Sequence, residues 1–308
     1  MADEYDLCVI GAGPGGFAAA TRAAQRGARV CLIEERDIGG VCLNTGCIPA
    51  RAIGTTAWLA GAVRRSRSLG IAIDQYQIVW PDALARKDRI VRRLRDGLTQ
   101  LAQARKIHLT TGRATVVEAG RVAITPPPGG PSGGGLLQAR AIVVATGSSP
   151  NPLPTIPFDG QRILSSDDLL ALPALPKRLV VIGGGVVGCE FASYLALLGV
   201  EVTVLELAPQ LLPGQDGDVS QALEASLVRA GTRVYTNATV TAVAVESGEV
   251  VVRWERGGSP AQAVRADQVL LTVGRRPNTQ GIGLEQAGVS LTPAGHVVVD
   301  GRLQTAAA

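Results

Sequence analysis

Short apolar runs that end at glycine alternate with longer alanine- and leucine-rich stretches along much of this chain. Tyr5 to Ile10 reads as a buried strand and is followed by Gly11-Ala12-Gly13-Pro14-Gly15-Gly16. An alanine-rich stretch then predicts a helix reaching Gly27, and Arg29 to Ile33 a second strand that ends at Glu34. Strand, glycine turn, helix, strand and acid in that order suit a dinucleotide. Gly11 permits the tight turn, Gly13 lets backbone approach a pyrophosphate, and Gly16 lets helix and strand pack closely. The helix N-terminus would face the phosphates, and Glu34 would accept from ribose hydroxyls.

The same pattern returns at Val181-Ile182-Gly183-Gly184-Gly185-Val186-Val187-Gly188, with Gly199 in the place of Gly27 and Glu206 in the place of Glu34. One such pattern is weak evidence. Two in register point to two dinucleotide sites and so to two cofactors.

Between the repeats, Ala83 to Lys106 is helical in pattern, and Arg89, Arg92, Arg93 and Arg95 read as its solvated face. Thr110 to Ile124 and Leu137 to Ala145 are β-rich, joined by a proline-glycine run from Pro126 to Gly135 that predicts a loop. Ala145-Thr146-Gly147 closes a strand, and the prolines from Pro150 onward predict a linker. The expected domains are 1–150 and 151–276, with 277–308 the truncated start of a segment that returns to the first domain. Ala222 to Arg229 predicts a helix; Arg233 to Val245 and Glu249 to Glu255 are β-rich. Val269 to Val273 is an apolar strand ending at Gly274, and His296 to Asp300 reads as a last strand.

Composition narrows the class. With 38 glycines and only 3% aromatic residues, the 308 residues suit an α/β protein more than a β-sandwich. A net charge of +4 is mild and comes with no nucleic-acid motif, so no nucleic-acid partner is expected. Leu179 to Val200 is apolar, but Glu190 and its glycines argue for strand, turn and buried helix rather than a membrane span. Asp3, Glu4 and Asp6 stand where a signal peptide would be basic, and five scattered cysteines do not staple a secreted fold. A cytoplasmic location and no metal site are the expectations.

Two of the cysteines stand apart. Gly39-Gly40-Val41-Cys42-Leu43-Asn44-Thr45-Gly46-Cys47-Ile48-Pro49 sets them five apart, between a Gly-Gly turn and a proline suited to the first turn of a helix. A thiol at a helix N-terminus ionises more easily, and the four intervening residues let the chain fold back far enough for a disulfide. Cys8, Cys31 and Cys189 fall in apolar contexts and read as core residues.

Together, Gly11-x-Gly13-x-x-Gly16, the cysteine run, Ala145-Thr146-Gly147, Gly183-x-Gly185-x-x-Gly188-x-Glu190 and Gly274-Arg275-x-Pro277-Asn278 resemble the pyridine nucleotide-disulfide oxidoreductases over nearly the whole chain. The Cys-Leu-Asn and Cys-Ile-Pro details favour the dihydrolipoamide dehydrogenase branch. The resemblance implies two Rossmann-like domains, the first holding FAD through Gly11, Gly13, Gly16, Glu34, Thr146 and Gly147. The second would hold NAD through Gly183, Gly185, Gly188, Glu206 and Gly274. It implies that Cys42 exchanges with substrate while Cys47 meets the flavin, and that the full-length form is a homodimer. The substrate would be a small dithiol or disulfide, or a lipoyl protein.

Three departures accompany the resemblance. Arg51 stands where the family has the lysine that pairs with the glutamate matching Glu190, so charge is kept and shape is not. The family's Ala-x-Gly-Asp flavin contact is missing, which implies an incomplete FAD domain. So is the C-terminal interface domain with its His-Glu acid/base pair. Cys42, Cys47, Arg51 and Glu190 are the candidate catalytic residues. Reduction of another disulfide or a metal acceptor, or a non-catalytic redox module, stays open.

Overall fold

The computed structural model describes residues 3–127, 129 and 134–307; residues 128 and 130–133 of the expected proline-glycine loop lie outside them. Contacts divide the chain into two units. One comprises Met1–Ile48, Val91–Ser149 and Arg276–Ala308, the other Pro49–Ile90 and Pro150–Arg275.

In the first unit, β1 (Asp3–Ile10), α1 (Pro14–Gln25) and β2 (Val30–Glu34) form the expected strand-helix-strand. The short helix α2 (Gly40–Asn44) follows. Helices α3 (Cys47–Arg65) and α4 (Trp80–Ala104) each begin in one unit and end in the other. Then come β3 (His108–Thr111), β4 (Arg113–Glu118), β5 (Arg121–Thr125), β6 (Gly135–Val144) and β7 (Ser148–Pro150). The six-stranded sheet has the order β3-β2-β1-β6-β5-β4. Its first four strands are parallel, and β4, β5 and β6 form an antiparallel meander.

Alternation along β1 fills two layers, as a period of two requires. Val9 packs with Phe17, Ala20, Val30 and Leu32 on one face. Cys8 and Ile10 pack on the other with Cys31, Ile33 and three residues from near the end of the chain, Ile282, Leu284 and Val289. That closing segment is also bonded to the edge strand, where the Val116 N–H donates to the Ile282 carbonyl at 2.8 Å.

The expected strand at His296–Asp300 is not one. A single bridge joins Leu291 and Val297, and the chain then turns at Asp300, whose carboxylate accepts from the Arg302 and Gln304 N–H groups. Gly295, at φ +81°, and this Asx turn bracket the segment too tightly for a ladder to extend.

The second unit contains β8 (Ile163–Leu164), α5 (Ser166–Leu169), β9 (Arg178–Ile182), α6 (Val186–Leu197), β10 (Glu201–Leu205), α7 (Gly217–Arg229) and β11 (Arg233–Tyr235). After these come β12 (Ala238–Glu246), β13 (Glu249–Arg256), β14 (Gln262–Ala266), β15 (Gln268–Leu271) and β16 (Arg275–Pro277), which pairs with β7. The five-stranded parallel sheet runs β11-β10-β9-β15-β8, the nucleotide-binding order again. An antiparallel sheet of β12, β13 and β14 places Val250, Val252 and Trp254 in one core with Ile182, Leu205 and Leu271. The apolar stretch Leu179–Val200 is β9, the glycine turn and α6. Among the described residues, no helix is long and apolar enough to cross a membrane.

Residues 49–90 group with the second glycine unit because α3 packs tightly on α6. A Cβ on Gly54 would lie 2.5 Å from the Tyr194 ring, and one on Gly61 2.6 Å from Leu197. The start of α4 joins them through the Trp80 indole N–H and the Lys87 ammonium, which donate to the Leu172 and Leu170 carbonyls.

Candidate active site

The two glycine turns are near copies. Gly11 and Gly183 adopt φ +100° and +106°, and a Cβ there would strike the carbonyl oxygens of Ala145 at 2.3 Å and Thr272 at 2.6 Å. Both positions therefore require glycine twice over. Gly16 and Gly188 bring helix onto strand: an added Cβ would lie 1.9 Å from the Gly11 oxygen and 2.0 Å from the Gly183 oxygen. Gly13 and Gly185 begin α1 and α6 without any side-chain cap, so first-turn N–H groups are left for an anion. Around Gly185, and around Gly15 in the first turn, an added Cβ would meet nothing within 4 Å. These turns have the open, donor-rich form that a pyrophosphate needs.

Each strand-end acid braces its own turn. Glu34 accepts from the N–H groups of Ala12 at 2.8 Å and Arg36 at 2.9 Å. Glu206 accepts from Gly184 at 2.5 Å and Ala208 at 2.6 Å, and is buried. Cys189 lies beneath the second turn with its thiol on the Gly184 carbonyl; burial, then the Glu206 charge, pushes it up to about 11. Thr272 was not legible as a participant. Its hydroxyl sits on the Ile182 and Gly183 carbonyls, and only the fold brings it there.

Cys42 lies in α2 and Cys47 opens α3, so each thiol is set by a different helix. Both are free thiols, Cys42 half-buried and Cys47 exposed. They interact: burial first, then the Cys47 thiol bonded to it, pushes Cys42 up to about 11. Cys42 sits within the short helix α2 and is partly desolvated, which disfavours its thiolate. The loop is stitched to the first glycine turn by the Gly39 N–H, which donates to the Ala12 carbonyl at 2.8 Å. A Cβ on Gly40 would come within 2.6 Å of the Gly13 Cα.

Between the cysteines, Asn44 is fully engaged. Its amide nitrogen faces the carbonyls of Asp37, Ile38 and Gly40 at 3.2, 3.1 and 2.9 Å. Its oxygen accepts twice from Arg95, at 3.1 and 2.8 Å. Arg95 therefore leaves the solvated set to which its spacing assigned it. A bond between α4 and a loop so distant in sequence leaves no local signal.

In the second unit, Arg51 and Glu190 form an ion pair at 3.7 Å, with the arginine side chain 79% exposed and the glutamate 28%. The Tyr194 hydroxyl donates to the Glu190 carboxylate at 2.7 Å. Burial, then that carboxylate, pushes the phenol up to about 12. In the first unit, Asn278 ties down Thr146-Gly147: its side chain donates to the Thr146 carbonyl and its N–H to that of Gly147, both at 3.0 Å. Gly274, at φ +113°, accepts from the Asn151 N–H in the second unit.

The family model described as pyridine nucleotide-disulphide oxidoreductase matches residues 5–308. The chain belongs to this family. Curated family members include the dihydrolipoyl dehydrogenase of Chlamydia muridarum, 39% identical over 310 residues, covering 99% of this chain. That of Bacillus subtilis is 36% identical over 301 residues and covers 97%. The chain spans 64% of the length of either. Among solved structures, LpdA from Mycobacterium tuberculosis superposes with a TM-score of 0.89 at 30% identity, over 99% of this chain and 66% of that one. The Cu(II) complex of the HOCl-induced flavoprotein disulfide reductase RclA from Escherichia coli gives 0.84 at 29%, over 99% and 64%.

Proposed function

We propose that this chain carries the FAD-, NAD- and disulfide-bearing part of a dihydrolipoyl dehydrogenase. The observation that carries the reading is the meeting of Cys42 and Cys47 in a loop stitched to the first glycine turn. The first turn and Glu34 fit FAD, with Thr146 and Gly147 beside it; the second turn, Glu206 and Gly274 fit NAD. When bound, FAD would exchange two electrons between the nicotinamide and the cysteine pair.

The chain's own chemistry is thiol exchange. A dithiol substrate, as thiolate, attacks the Cys42 sulfur of the disulfide and releases Cys47 as thiolate. Its second thiolate then attacks the mixed disulfide and releases Cys42. The substrate leaves oxidised, and the two electrons remain on the protein dithiol. The raised Cys42 favours its return to the protonated thiol. Arg51 sets a permanent positive charge against Glu190, and the Tyr194 hydroxyl holds the carboxylate in place. The partners are a small dithiol or a lipoyl protein and, for the longer family form, a second subunit. The proposed location is the cytoplasm.

The test is an anaerobic visible spectrum of the purified chain with FAD, before and after one equivalent of NADH. A flavin band that bleaches, with a long-wavelength band lost in Cys47→Ser, supports the reading. A chain that takes up no flavin defeats it. A second reading, reduction of a metal acceptor, is favoured by the likeness to the copper-complexed reductase. Cu(II)-dependent NADH oxidation with no activity towards dihydrolipoamide would select it.

A further inference from the structure

Arg95 is the one arginine of the α4 run that reaches the cysteine loop. Its Nε and one terminal nitrogen converge on the Asn44 oxygen, while the other terminal nitrogen pairs with the Asp37 carboxylate at 2.9 Å. Asn44 in turn holds the carbonyls of Asp37, Ile38 and Gly40, so the guanidinium closes a ring of bonds around the turn that precedes Cys42. Both capacities of the amide are used, and the planar fork of arginine fits the arrangement as lysine would not. Arg89, Arg92 and Arg93 remain exposed on the same helix.

We propose that Arg95 is a positioning residue for the Cys42–Cys47 pair, acting through Asn44 to hold the loop in its disulfide-competent shape while the thiols are reduced. Disulfide closure is intramolecular. Its equilibrium depends on how much freedom the two sulfurs lose on bonding, and a loop already held loses less. The clamp therefore raises the effective concentration of one thiol at the other and makes the disulfide harder to reduce. The inference rests on Cys42 and Cys47 being the redox pair.

The test needs no cofactor. The chain is equilibrated with glutathione and glutathione disulfide, quenched with acid, and its Cys42–Cys47 disulfide is measured by mass spectrometry. In that exchange one cysteine thiolate attacks glutathione disulfide and expels one glutathione thiolate. The second cysteine thiolate attacks the mixed disulfide and expels the other, and the two thiol protons pass to the two glutathiones.

Arg95→Ala is expected to lower the equilibrium constant roughly three- to tenfold, tenfold being about 30 mV for two electrons. Arg95→Lys, which keeps the charge near Asp37 and loses the fork, should fall between this and the parent. Arg92→Ala should match the parent. Equal constants in the parent and Arg95→Lys, or an equal fall in Arg92→Ala, would overturn the proposal. If Arg95→Ala does not fold, Arg95→Lys against the parent decides. A parent chain that forms no Cys42–Cys47 disulfide at any ratio overturns the redox pair itself, a result distinct from failure of the clamp.

Discussion

Gly185 and Gly188 lie one helical turn apart and have opposite surroundings: a Cβ at Gly188 would stand 2.0 Å from the Gly183 carbonyl oxygen, while one at Gly185 would meet nothing within 4 Å. Gly188 is required by the protein's packing. Gly185 leaves room for something that is not protein. Gly188→Ala should therefore destabilise the second unit by about 1–3 kcal/mol, through forced backbone shifts. Gly185→Ala should leave the unfolding midpoint almost unchanged and weaken NAD binding by roughly tenfold or more, because the methyl takes the place of the pyrophosphate. Paired denaturant melts and NAD titrations of the two variants separate packing from ligand space. Equal losses of stability would contradict the assignment.

Cys42 offers a pH prediction. Its folded value, about 11, lies above the ordinary 9.0, so folding favours the protonated thiol. The stability this contributes is complete below pH 9 and is lost as the pH passes through 11. Iodoacetamide should label Cys42 at a rate still rising at pH 10, with exposed Cys47 labelled first. Replacing Cys47 by Ala removes the thiol partner and should move the Cys42 profile down, while burial, the larger cause, continues to raise it. Cys8, which burial raises to about 12, should resist labelling until the protein unfolds. Residue-resolved mass spectrometry across pH reads all three.

Tyr194 gives an optical reading of Glu190. The chain has 4 tyrosines, and this one titrates late, near 12, through burial and then the neighbouring carboxylate. Glu190→Gln should bring tyrosinate absorbance forward, while Arg51→Ala should delay it further, because the guanidinium opposes the shift. An ultraviolet titration in which neither variant moves would mean that the pair does not act on the phenol.

The contact between α3 and α6 depends on Gly54. Alanine there would place its methyl 2.5 Å from the Tyr194 ring, and the ring cannot retreat without leaving Glu190. Gly54→Ala should cost about 1–3 kcal/mol, with the gain in helix propensity too small to offset it. Urea melts measure the loss. The same variant should also advance the Tyr194 titration.

The glycine turns were legible because their spacing is local: Gly16 and Gly188 answer to the Gly11 and Gly183 carbonyls five residues back, although Gly11 and Gly183 themselves face Ala145 and Thr272 from far along the chain. The acids Glu34 and Glu206 were legible as strand ends, though not as braces for their own turns. What escaped came from distance. Nothing around Arg95 distinguishes it from Arg92 until α4 is laid beside Asn44. Gly54 reads as an ordinary helix residue until Tyr194 arrives from far along the chain. His296 to Asp300 holds three valines in a row and so reads as a strand, whereas a turn built on the Asp300 side chain leaves a weaker signal in the sequence.

The closing segment also sets an order of assembly. The second unit lies wholly within residues 49–275, nested inside the first. A growing chain therefore holds every residue of the nested unit before the outer one gains Ile282, Leu284 and Val289. The N-terminal half of the outer sheet must wait, with Cys8 and Ile10 uncovered on one face, until synthesis has passed Val289. The unit that holds the N-terminus is thus not the first to have all of its residues synthesised, and the nested unit should fold first. Chaperone dependence should fall once residues 282–289 have emerged.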